Sequence, residues 1–115
     1  MYLSTGNYLK AEENFKNSIR MTLQGIGAEN LKYGSTINNY AELCHKTGRF
    51  READELYKEA IANAEKFSNF NSSEIISRKM NYAIFIQNQG QYQEALKIYS
   101  ADFSTVTFGL SKFIF

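Results

Sequence analysis

The 115-residue sequence has no proline and no tryptophan, and it has one cysteine and one histidine. Without proline, nothing interrupts the hydrogen-bond ladder of a helix, so long helices can run unbroken. The lone thiol, Cys44, has no partner for an internal disulfide. That excludes a secreted disulfide framework and makes the cytoplasm the expected compartment. Cys44 and His45 are adjacent, and helical neighbours point about 100° apart. With no second Cys or His, they complete neither a metal site nor a nucleophile–base pair. No metal, cofactor or catalytic residue is expected, and the chain reads as a non-enzyme. Charge of one sign is also missing, with 13 basic and 12 acidic side chains giving a net +1. That balance leaves no electrostatic footprint for nucleic acid and no polybasic anchor. No apolar run approaches the roughly 18 residues that span a bilayer, so no membrane partner is expected. The opening "MYLSTGNYLKAEENF" lacks the pattern of a targeting peptide. "GIGAEN" at 25–30 lacks the lysine of a phosphate loop and reads as a connection between helices.

What the chain does have is aromatic side chains, eight Tyr and nine Phe, whose large surfaces must be buried somewhere in a single domain. They are not scattered. "GNYLKAEENF" begins at Gly6, "GRFREADELY" at Gly48 and "GQYQEALKIY" at Gly90, a constant step of 42 residues. Each copy carries an aromatic two after the glycine (Tyr8, Phe50, Tyr92), an alanine five after it (Ala11, Ala53, Ala95) and an aromatic nine after it (Phe15, Tyr57, Tyr99). Upstream, "NYAELCHKTG" from Asn39 recurs as "NYAIFIQNQG" from Asn81 at the same step. Fixed offsets in register mark an internal repeat.

Each half of the unit has helical spacing. Ile37, Tyr40, Ala41 and Cys44 fall at i, i+3, i+4 and i+7, which predicts a helix over 36–47 with Cys44 as a small core residue. Phe50, Ala53, Leu56, Tyr57, Ala60, Ile61 and Ala64 continue such a stripe and predict a second helix over 50–67. Only Gly48 and its neighbours separate the two, so they fold back antiparallel through a left-handed glycine. Ala41, Ala83, Ala53 and Ala95 then mark where paired axes approach closely. Phe50, Tyr57, Tyr92 and Tyr99 are expected to fill the space beside them. One hairpin cannot bury its own stripe, so successive hairpins are expected to stack into an all-α solenoid.

Asn-aromatic-Ala followed by Gly-x-(Tyr/Phe)-x-x-Ala-x-x-x-(Tyr/Phe) resembles the tetratricopeptide repeat. The usual unit there is about 34 residues; the step of 42 resembles the longer variant of kinesin light chains and their relatives. The likeness covers residues 1–100, as a partial unit 1–33, a full unit 34–73 and a unit 74–100. "MYLSTG" matches only the end of a first helix, and the family's closing proline is missing. The pattern breaks after Tyr99, and the tail 101–115 is atypical. It reads either as a cap over the last helix or as the abrupt end of a longer array; its last 13 residues "FSTVTFGLSKFIF", interrupted by Lys112, are too few to cross a membrane.

The resemblance implies a protein-interaction module whose concave face is lined by the first helix of each unit. It places Asn39 and Asn81 in that groove, where an amide supplies both donor and acceptor for a bound backbone. Asn38, Glu42, His45 and Lys46 are expected to share the exposed side of the first complete unit, and Met80, Ile84, Gln87 and Asn88 that of the next. His45 and Lys46 also suit the negative end of their helix dipole, which is the plainer reading of that pair. The partner is expected to be a peptide or protein segment. A competing reading is self-association, in which the open helical faces of two chains stack into a homo-oligomer. RNA binding by helical repeats sits poorly with the near-neutral charge and the 42-residue period.

Overall fold

The computed structural model describes residues 5–69 and 72–100, with side chains from Tyr8 onward; the tail 101–115 and residues 1–4 lie outside the described part. The described residues are all-α, with no strand among them. The helices are α1 (Thr5–Gly25), α2 (Leu31–Lys46), α3 (Phe50–Phe67), α4 (Ser73–Asn88) and α5, helical over residues 92–100. They pack in chain order, α1 on α2, α2 on α3 and α3 on α4.

The α3 bounds match the expected span. α2 starts five residues earlier than the apolar spacing predicts, because Asn30 caps it. The Asn30 backbone is extended, and its side-chain oxygen accepts from the Tyr33 amide at 3.0 Å. Ser72 caps α4 in the same way, accepting from the Ile75 amide at 3.3 Å.

Gly48 and Gly90 adopt φ of +82° and +84°, as the hairpin requires. The amides that follow close the preceding helix identically: Gly48 N–H to the His45 carbonyl with Arg49 N–H to Cys44, and Gly90 N–H to Gln87 with Gln91 N–H to Ile86. Each satisfies carbonyls that the helix end would leave orphaned. Gly6 behaves differently. It lies inside α1 instead of ending a first helix.

The core forms where the small residues predict. Ala41, Ala53, Ala60, Ala64, Ala83 and Cys44 are fully buried. The Tyr57 ring fills the space among α2, α3 and α4, 5.2 Å from Phe85 and 6.1 Å from Tyr82. Burying one such ring contributes about 1.5–3 kcal/mol. An exposed pair such as Lys58–Asp54 contributes about 0–1 kcal/mol, so ring packing dominates. Two of the rings expected to fill the core do not: Phe50 is 44% exposed and Tyr92 67%. Each opens its helix beside the turn. Phe50 reaches only the edges of His45 and Phe85, and among the described residues no later helix covers Tyr92.

Candidate groove on the first helices of the repeat

α2 and α4 each carry an asparagine one residue before the aromatic-Ala pair. The face opposite the buried stripe places Asn39 in solvent and Asn81 half-buried at the matching position. From α2, Asn39, Glu42 and Lys46 form one wall of an open groove of about 430 Å³; Tyr8, Ala11 and Phe15 of α1 form the other. With Leu43 also lining the α2 wall, the groove is mixed on the α2 side and apolar on the α1 side. On α4, Ile84, Gln87 and Asn88 are exposed and Met80 is half-buried. Gln87 accepts a hydrogen bond from the Tyr99 hydroxyl at 3.0 Å.

Two residues expected on the exposed side are elsewhere. Asn38 is 8% exposed, and no protein group donates to its side-chain oxygen. The cause is its phase: Gly34, Asn38, Ala41 and His45 fall at steps of four, three and four, so they share one helix edge, and that edge faces a neighbour. His45, on the same edge, is half-buried against the Phe85 ring at 5.0 Å and Phe50 at 6.3 Å. Burial lowers its pKa below the ordinary histidine value, with Glu42 pulling the other way. His45 and Lys46 do stand in the last turn of α2, where they complement the dipole.

Two features that tie the helices together are not announced by the repeat motif. The first repeats. Tyr40 donates its hydroxyl to Glu12 at 3.1 Å and Tyr82 to Asp54 at 2.8 Å, each pair 28 residues apart and the two related by the 42-residue step. An acid on the second helix of one unit thus holds the aromatic of the next unit's first helix. Arg49 also pairs with Glu12. Burial works to raise the Glu12 pKa, but the bonds from Arg49 and Tyr40 outweigh it and leave the carboxyl below its usual range. The shared offset of Glu12 and Asp54 was the available signal.

The second feature does not repeat. Arg78, 3% exposed, donates to the Ala60 carbonyl at 2.7 Å, Asn63 Oδ1 at 2.9 Å, the Leu31 carbonyl at 3.1 Å and Ser35 Oγ at 3.1 Å. Asn63 in turn donates to the Asn30 carbonyl at 2.8 Å. One guanidinium ties α2, α3 and α4 together. Gly34 makes room for it, since a Cβ there would collide with Asn63 and Arg78.

No group of three or more His, Cys, Asp or Glu among the described residues could hold a metal ion. No described helix is long and apolar enough to cross a membrane. The tetratricopeptide repeat family model matches residues 1–66. Comparison with curated proteins finds no match.

Proposed function

Because the chain belongs to the tetratricopeptide repeat family, whose repeats generally mediate protein–protein interaction, we propose that it binds a partner segment along α2 and α4 and performs no catalysis. The observation that carries this reading is the groove of Asn39, Glu42 and Lys46 against Tyr8, Ala11 and Phe15, with Asn81 presented at the same repeat position. Asn39 and Asn81 would pair with the backbone of the segment, and Ile84, 47% exposed, would give apolar contact further along. Asn38 is not part of this surface, and His45 acts in packing. The step of 42 residues fits the long, kinesin-light-chain-like variant of the repeat. A cytoplasmic scaffold or adaptor is the role this best suits. The test is a pull-down with the wild type against the Asn39→Ala/Asn81→Ala double variant. Loss of specific partners from the variant is expected; equal capture of the same proteins by both removes the groove from consideration.

A second reading, self-association, has its own support. A helix face that is buried in one copy of the repeat is open in another.

A further inference from the structure

The face in question lies on α1. On α3, Ala53, Tyr57, Ala60 and Ala64 are 0–2% exposed, because α2 and α4 cover the helix from both sides. The residues 42 positions earlier are Ala11, Phe15, Ser18 and Thr22. Among the described residues α2 is the helix that packs closely on them, and Ser18 is exposed while the other three are half-buried. Two open grooves mark the uncovered side: the one lined by Tyr8, Ala11 and Phe15, and one lined by Ser18, Met21, Thr22 and Gly25. Met21 is 67% exposed there. Among the described residues, no helix takes on α1 the place that α2 fills on α3.

We infer that a second copy of this chain fills it, with the two α1 helices packed antiparallel about a two-fold axis between Phe15 and Ser18. The sequence of the face is complementary to itself. Tyr8, Ala11, Phe15, Ser18, Thr22 and Gly25 are spaced 3, 4, 3, 4 and 3, the seam of a two-helix coiled coil. A two-fold pairing that sets Phe15 against Ser18 also sets Tyr8 against Gly25 and Ala11 against Thr22. Every ring meets a small residue, as an isologous interface requires of each half. The direction is right as well, since α2 lies antiparallel on α3. At about 1.5 Å per residue the seam is about 26 Å long. Specific interfaces bury about 1,200–2,000 Å² in total, so a single helix pair of this length makes a small interface and the dimer is expected to be reversible. This inference rests on the self-association reading; because the seam uses Tyr8, Ala11 and Phe15 of the same groove, a second copy and a bound segment would exclude each other there.

Sedimentation equilibrium from about 1 to 500 µM tests it on the full chain. The wild type is expected to dimerise reversibly, and Ser18→Arg, at an exposed position that leaves the fold intact by circular dichroism, to weaken dimerisation at least about tenfold. A second variant carries an additional copy of residues 31–47 joined ahead of Gly6, so that an α2-like helix covers α1 within the same chain; it is expected to be monomeric. Dimers that persist unchanged in both variants overturn the α1 pairing and leave self-association through another face. A wild type that stays monomeric throughout overturns self-association itself. If that monomer binds a synthetic peptide of residues 31–46 and Ser18→Arg does not, the face belongs to a partner helix and the second copy is excluded.

Discussion

α1 and α3 are two copies of one helix with opposite fates. The stripe Ala53, Tyr57, Ala60 and Ala64 sits between two neighbours and is closed to water, whereas Ala11, Phe15, Ser18 and Thr22 have one close neighbour among the described residues and remain partly open. The pattern of small and ring-bearing residues is a capacity for close packing; burial is conferred by whatever packs there. The two connections between units differ in the same way. Both use a tyrosine–acid bond, Tyr40–Glu12 and Tyr82–Asp54. Only the second adds a buried arginine clamp, with Thr36 standing at the position that corresponds to Arg78.

The clamp offers the sharpest way to break that comparison. Arg78→Leu is expected to cost about 3 kcal/mol or more, because it leaves buried acceptors on α2 and α3 without a donor. Thr36→Ala is expected to change stability by less than about 0.5 kcal/mol. Urea unfolding monitored by circular dichroism measures both, and equal effects would mean that the connections are equivalent after all. Next in size is a matched pair of insertions. Ala53→Leu forces bulk into a closed site and is expected to cost about 2 kcal/mol, against less than about 0.5 kcal/mol for Ala11→Leu. Thermal unfolding of the two variants ranks them, and Ala11→Leu as the worse one would refute the contrast.

The repeated hydrogen bond comes third. Tyr82→Phe and Tyr40→Phe are each expected to cost about 1 kcal/mol. Double-mutant cycles with Asp54→Ala and Glu12→Ala should give couplings of the same sign, and no coupling at either site would mean that the contact is incidental. The smallest effect concerns His45. Its pKa in the folded chain lies below the ordinary 6.5, with burial against the rings as the main cause. The unfolded chain therefore takes up the proton first. The associated stability is complete above about pH 6.5 and is lost as pH falls through the lower, folded value. An NMR titration of the single histidine reads this directly; a pKa at or above 6.5 would show that the ring is not held neutral.

Much of the framework was legible beforehand. α3 begins and ends where its stripe does, and Gly48 and Gly90 turn where the repeat places them, because apolar periodicity and left-handed glycine are local properties. Gly6 carries the same local signal, yet it lies inside α1. Asn38 was misplaced because a residue at the border between two helix faces is buried or exposed according to how wide its neighbour is. Arg78, Asn63 and Gly34 were invisible to a search for repetition. Their counterparts are Thr36, Met21 and Ile76, so nothing recurs to be noticed.

Spacing along the chain determined the helices, the antiparallel hairpins and the 42-residue recurrence, since each depends on hydrogen bonds and steric contacts between residues close in sequence. Only the tertiary structure decided which copy of a stripe is covered, where a guanidinium can be buried and which polar residues of α2 face solvent. Those depend on contacts across 15 to 47 residues, as the partners of Arg78 show, and on how many neighbours each helix has. No local pattern encodes either.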